Sequence, residues 1–187
     1  DGVLYDKDIK TLIKCPQSKT TISIPNTIAF IEKGAFSNCS SLTFITLPNS
    51  IKLIENGVFS GCMGLTSIII PDSVKFIGDY AFCRCSSLTS ITIPNFVKSI
   101  GDAAFWECSS LISIIIPDSV KSIGDWAFWK CTALTSITCN AIVPPIIRNK
   151  YVFYKVPDNI PVYVPEGGIS DYKMADQWNK FNIKPIK

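Results

Sequence analysis

The residues of this chain best equipped for chemistry are its eight cysteines, and the partners they would need are missing. The 187 residues contain no histidine. That removes His-dependent nucleophilic triads, helical His–Glu zinc sites and His general bases. A thiol without an imidazole to activate it is a poor nucleophile. Cys83-Arg84-Cys85 resembles part of a metal site, but no paired CxxC and no histidine completes it. Carboxylates offer a second route, since Asp79, Asp102 and Asp125 recur at fixed spacing. A ladder of like residues supplies no distinct acid and base, which glycosidic hydrolysis needs, and it reads as a solvated face. Neither an enzyme nor a cofactor is expected.

Other side chains suit binding. Lys52, Lys75, Lys98 and Lys121 form one column. They either keep the surface soluble beside the acidic column or form a basic ladder for an acidic glycan or protein. A net charge of +3 and the adjacent carboxylates argue against nucleic acid. Tyr80 and Trp126 share a column with Gly34, Gly57 and Ala103, and Trp106 and Trp129 share another with Ser37, Ser60 and Cys83. Positions satisfied by Gly or Ser have no evident structural need for Trp. These aromatics either anchor a partner, as Trp and Tyr often do, or pack on each other and on a terminal cap. A further column, Ser23, Thr46, Ile69, Thr92, Ile115 and Thr138, joined by Phe44, is nearly uncharged. It is either a flat contact for a protein or peptide or a plain β-branched sheet surface.

The elements that position these columns follow from a repeat. Prolines 25, 48, 71, 94 and 117 lie 23 residues apart, and so do Phe36, Phe59, Phe82, Phe105 and Phe128. Cys39, Cys62, Cys85, Cys108 and Cys131 keep the same period, as do the leucines from Leu42 to Leu134 and the isoleucines from Ile31 to Ile123. A short fixed period means a solenoid, whose units bury their apolar sides only by stacking. Within one unit, Leu88, Ile91 and Ile93 mark a short strand that Pro94 ends. Val97 and Ile100 mark a second extended segment, Gly101-Asp102 a turn, and Ala104, Phe105 and Cys108 a helical or 3₁₀ return. Five of the eight cysteines thus fall in the core column. They read as small buried hydrophobes, because side chains stacked in parallel do not point at one another for disulfide formation.

The Leu-x-x-Ile-x-Ile strand followed by Pro-Asn/Asp-Ser-Val-Lys-x-Ile-Gly-Asp-x-Ala-Phe-x-x-Cys resembles the BspA-like leucine-rich repeats of bacterial and protozoan surface proteins. The column where commoner leucine-rich repeats carry an inward Asn reads Thr27, Ser50, Ser73, Phe96 and Ser119, so a regular Asn ladder is not expected. The resemblance implies a leucine-rich-repeat solenoid: one right-handed coil array, a short parallel sheet on one face and short helical or 3₁₀ turns opposite. It also implies a cell-surface or secreted binding or adhesion module. Its partner would be a host extracellular protein, a microbial surface protein or a glycan. The alternative is a structural spacer or self-assembly module of a larger surface protein.

Five 23-residue repeats are expected over 20–139, between caps at 1–19 and 140–187. Gly2 to Tyr5 and Thr11 to Ile13 read as a covering hairpin, which an open solenoid end requires. The C-terminal cap reads as a strand, Val162 to Pro165, and a helix N-capped by Ser170 and running to about Lys180. Tyr172, Ala175 and Trp178 would share one face of that helix. Val162 to Phe181 also resembles the closing element of the bacterial family. No apolar run approaches the roughly 18 residues of a membrane helix, so any anchor would lie outside this chain. The N-terminal stretch lacks the basic and apolar regions of a secretory leader, as a mature secreted protein would. Thiol titration of the unfolded, unreduced protein should find most cysteines free; four disulfides would overturn the core-column reading.

Overall fold

The computed structural model describes residues 2–147, 149 and 151–186. The chain winds as a β-solenoid, and each coil contributes two short strands. The first series, Phe44–Thr46, Ser67–Ile69, Ser90–Thr92, Ser113–Ile116 and Ser136–Cys139, follows the coils in order; its first two strands pair in parallel with each other, and its last three pair in parallel in a separate sheet. Pairs such as Ser113 with Ser136 reproduce the 23-residue period. The second extended segments form a parallel sheet of their own, Leu53–Ile54, Phe76–Ile77, Ser99–Ile100, Ser122–Ile123 and Ile146–Ile147. The solenoid thus has two sheet walls in addition to its return wall.

Among the described residues the return wall contains no helix; it is built of turns. Its N–H groups alternate between two kinds of acceptor. Ala81, Cys83 and Cys85 close 3₁₀-type turns on Gly78, Tyr80 and Phe82, while Tyr80, Phe82 and Arg84 donate to the carbonyls of Asp102, Ala104 and Trp106 in the next coil. Half of the return segment's donors are therefore satisfied only by stacking.

Inside, one phenylalanine per coil forms a continuous stack. Phe36, Phe59, Phe82, Phe105, Phe128 and Phe153 have successive ring centroids 5.2–5.5 Å apart. The cysteine column lies beside it, and all eight cysteines are buried and unbridged. These thiols do more than fill space. Cys62, Cys85, Cys108 and Cys131 donate to the carbonyls of Phe36, Phe59, Phe82 and Phe105 at 3.0–3.2 Å, tying each coil to its predecessor. Burial pushes the Cys62 thiol up to about 12, so it stays protonated at neutral pH.

Two polar columns also bind coil to coil. Ser73 and Ser119 donate to the carbonyls of Ile51 and Val97, both at 2.6 Å, and Ser50 does the same to Ile28. Hydroxyls thus take the place of an Asn ladder, and the exposed Phe96 interrupts them. The acidic column is not simply solvated, as its sequence suggested. Asn56, Asp79 and Asp102 accept the backbone N–H of Asp79, Asp102 and Asp125 at 2.9, 2.8 and 2.8 Å. One oxygen of each side chain is thereby committed to the fold.

At the N-terminus, Leu4–Tyr5 pairs antiparallel with Thr11–Lys14, which in turn pairs in parallel with Phe30–Ile31. The expected hairpin covers the first coil. Asp6 closes its turn by accepting from Thr11 and Lys10 N–H, and the Thr11 bond above all holds the carboxyl below its ordinary value.

Winding does not stop after Cys139. Val162 pairs with Ile137, so the coil has stretched from 23 to 25 residues, and Pro161–Val164 pairs in turn with Asn182–Pro185. The terminal helix is shorter than its sequence suggests. It spans Ile169–Met174, follows a 3₁₀ turn at Glu166–Gly168, and has Gly168 rather than Ser170 at its N-cap. It ends because Ala175 is extended, with ψ at 129°. The chain then carries Trp178 edge-on against Phe153, 5.2 Å away, and Phe181 does the same at 5.1 Å. These two rings terminate the phenylalanine stack. Tyr172 meets Trp178 and donates its buried hydroxyl to the Ala141 carbonyl at 3.0 Å.

Gly101 marks how closely the coils approach. A Cβ there would lie 2.6 Å from the Asp79 amide nitrogen, within the Asn/Asp ladder. Gly101→Ala is expected to cost about 2–4 kcal/mol through overpacking and a broken ladder bond. Gly167→Ala, which meets nothing within 4 Å, should change stability by less than about 0.5 kcal/mol. Denaturant midpoints of the two variants check both values.

Candidate functional site

The return wall carries the densest group of aromatic side chains outside the core. Its backbone visits the left-handed region twice per coil. One such column is Gly34, Gly57, Tyr80, Ala103 and Trp126, with φ between 51° and 64°. The other is Asn38, Gly61, Arg84, Glu107 and Lys130, with φ between 56° and 75°. Glycine suits such positions, whereas a Cβ there costs about 1–2 kcal/mol. Tyr80 and Trp126 are therefore held on strained backbone that the fold elsewhere satisfies with glycine.

Three of the four predicted aromatics come together. The Trp106 and Trp129 ring centroids are 4.3 Å apart, and Trp126 lies 6.4 Å from Trp106. Tyr80 stands apart, with Ala103 occupying the column position between it and Trp126. The strip continues past the residues that stand out in the repeat columns. Tyr154 stacks on Trp129 at 5.9 Å, and Tyr151 meets Tyr154 edge-on at 6.0 Å. Tyr154 falls in the Trp129 column only once the 25-residue coil is known.

Charges run along the strip. The Lys130 ammonium lies 4.1 Å above the Trp129 ring and 2.8 Å from Glu107, whose other oxygen takes Arg84 at 3.2 Å. The hydrogen bond from Lys130 is the main reason that the Glu107 carboxyl lies below its ordinary value. Lys155 lies 5.9 Å over Tyr154. Beside this network a shallow cavity of about 360 Å³ is lined by Met63, Ser86, Ser109 and Thr132 with the three charged residues.

The other candidate columns lie apart from one another in sequence and role. Lys52, Lys75, Lys98 and Lys121 are exposed, and their backbone groups join successive coils at 2.8–2.9 Å. Among the described residues none of the four makes an ion pair. Phe44, Ile69 and Ile115 project from the first sheet series and are roughly half exposed, at 43%, 54% and 52%. No group of three potential metal ligands occurs among the described residues, and no described helix is long and apolar enough to cross a membrane.

Coil length, paired strands and the Pro-to-Cys pattern together define a leucine-rich-repeat solenoid. The chain matches the BspA type leucine rich repeat region in six copies, across residues 11–135 and 52–164, and so belongs to that family. It is similar to a leucine-rich repeat protein of T. pallidum at 31% identity, with TM-score 0.65, over 73% of this chain and 67% of that one. The pneumococcal vaccine antigen PcpA superposes with TM-score 0.78 at 21% identity, over 99% of this chain and 46% of that one. A leucine-rich cell surface protein of Faecalibacterium prausnitzii gives TM-score 0.57 at 21% identity, over 90% and 70% of the respective chains. These last two are likenesses of fold, and this chain spans less than half of PcpA. No curated protein matches the chain.

Ala103, fully buried with φ at 51°, isolates the backbone cost of the left-handed column. Ala103→Gly should raise stability by about 0.5–1 kcal/mol, the relief of left-handed strain less the entropy that glycine adds to the unfolded chain. Urea denaturation measures it.

Proposed function

We propose that this chain is a noncatalytic binding module of a secreted or cell-surface protein, and that it recognises a protein or glycan partner through its aromatic strip. The observation that carries this reading is the row of partly exposed Trp and Tyr rings, one member of which, Trp126, sits on left-handed backbone where glycine would fold at less cost. Backbone strain retained in this way is characteristic of functional sites, and Trp and Tyr dominate the energetics of recognition. A solenoid also offers an extended, rigid face. The surface location draws support from the family and from the F. prausnitzii cell surface protein and the pneumococcal antigen, whose folds this chain shares. Adhesion to host or microbial surfaces fits the same reading, with any anchor outside these residues.

A second reading, self-assembly or a spacer role, is favoured by the exposed Ile69, Ile115 and Phe44 on one sheet wall. The open edge at Asn182–Pro185 works against strand-to-strand assembly, since Lys184 and Pro185 are edge-blocking residues.

Trp106→Ala/Trp126→Ala/Trp129→Ala should keep the fold, because the phenylalanine stack is untouched. It should weaken attachment to partner-bearing cells or matrix by about tenfold or more. Full retention of attachment by a folded triple variant would sink the reading. Sedimentation that shows only monomer at high concentration would sink the self-assembly alternative.

A further inference from the structure

We infer that the second sheet wall is the interface of a homodimer, on which a second copy of this chain sits face to face about a twofold axis parallel to the solenoid axis. The aromatic strip lies on the return wall, so this interface is independent of the binding-module reading. Each coil offers one outward residue at the start of its second strand. In order these are Phe30, Leu53, Phe76, Ser99, Ser122 and Ile146, and the last five are in register with one another. Phe30, Leu53, Phe76 and Ile146 are exposed. The fold has no need of them, because serine holds the same column in two coils of the same sheet. Three successive coils thus keep a large apolar side chain in water where serine folds as well. A single exposed apolar residue is ordinary, but a contiguous row of them marks a contact surface.

The row is flanked by charges of opposite sign. On one side stand Lys52, Lys75, Lys98 and Lys121, each one position before its row residue and each exposed. On the other side stand Glu32 and Glu55, then Asp79, Asp102 and Asp125, with Lys33 as a cation among them. Among the described residues no ion pair joins the two sides. Lys121 donates instead to the Asp118 carbonyl at 3.0 Å. Asp79 and Asp102 each commit one oxygen to the backbone ladder, and the Asn56 amide lies 3.4 Å from the other oxygen of Asp79.

A face that is cationic on one edge, apolar along the middle and anionic on the other edge is complementary to itself in one way. A twofold axis along the row sets each coil against the same coil of the second copy and exchanges the two edges. Phe30, Leu53 and Phe76 then meet their own counterparts. Lys52 faces the partner's Glu55, and Lys75 faces the partner's Asp79. A twofold axis across the row would set lysines against lysines and the phenylalanines against the serines. Only the first arrangement joins apolar to apolar and cation to anion, as an isologous contact requires. The apolar row supplies the affinity, and the charges select the orientation. Five coils at about 4.8 Å spacing make a face roughly 20–25 Å long, at the small end of specific interfaces. The dimer is therefore weak and reversible, populated at about 100 μM chain.

Sedimentation velocity of the whole chain from about 5 to 500 μM tests the assignment. Monomer should convert to dimer as concentration rises, less readily at high salt. Phe30→Ser/Leu53→Ser/Phe76→Ser should weaken the dimer by about tenfold or more, and circular dichroism should show it folded. Lys52→Glu and Glu55→Lys should each weaken self-association about fivefold or more, whereas an equimolar mixture of the two variants should dimerise like the unaltered chain. Ile69→Ser/Ile115→Ser on the first sheet wall should change nothing. A chain that stays monomeric at about 500 μM overturns the inference, and so does a folded triple-serine variant that dimerises undiminished. Tighter self-association of Lys52→Glu also overturns it, because that is the sign of lysines facing lysines. Loss of the dimer only in Ile69→Ser/Ile115→Ser moves the contact to the first sheet wall and overturns it as well. Attachment through the aromatic strip is read separately, and Trp106→Ala/Trp126→Ala/Trp129→Ala should dimerise like the unaltered chain.

Discussion

No coil of this molecule can satisfy its own hydrogen bonds, and everything else follows from that. A helix on the return side would close its N–H groups internally, but these turns send every second donor across to the next coil. Buried backbone groups without partners are costly, so the coils must stack, and they must stack in one register. A slip of a single residue would exchange the two classes of donor and turn every inward side chain outward. The 23-residue spacing is thus the distance at which hydrogen bonding, the phenylalanine stack and the polar ladders close together.

The same constraint explains the side chains that repeat. Serine hydroxyls, cysteine thiols and Asn/Asp carbonyl or carboxylate oxygens each reach a backbone group of the adjacent coil. Each is short, so the bond forms with little loss of rotamer freedom. Gly101 and its counterparts keep the coils close enough for those short side chains to reach. The ends need different solutions. At one end a hairpin supplies a paired strand, and at the other Trp178 and Phe181 close the ring stack edge-on.

The repeated core was legible because burial tolerates only a narrow range of apolar side chains at each point of the coil, as where Ile28, Ile51, Val74, Val97 and Val120 share one column. Leu88, Ile91, Ile93, Val97, Ile100, Ala104, Phe105 and Cys108 are all buried as their spacing indicates. Strands of two residues, such as Ser99–Ile100, leave no alternation to detect, which hid the second sheet. A carboxylate that accepts a backbone N–H has the same sequence signature as a solvated one, so the Asp column looked merely superficial. In the strip, Trp106, Trp126 and Trp129 stood out against Gly and Ser. Tyr154 did not, because two extra residues shift it out of the column, and Lys130 and Lys155 acquire meaning only from the rings below them. The terminal helix is shorter than local propensity indicates, because propensity carries no sign that Ala175 must turn away to bring Trp178 onto Phe153.

The eight unbridged thiols have a consequence for biogenesis. Once the coils are stacked, all eight are buried and burial raises each thiol above its ordinary range, which disfavours ionisation. Before stacking, they are eight interchangeable reactive groups on an open chain, and any pair that joins would lock coils out of register. Where such a chain matures in an oxidising compartment, winding competes directly with mispairing. The protein's redox safety is therefore kinetic at birth and steric afterwards, and a chaperone that holds the unwound chain reduced would matter more to it than an enzyme that makes disulfides.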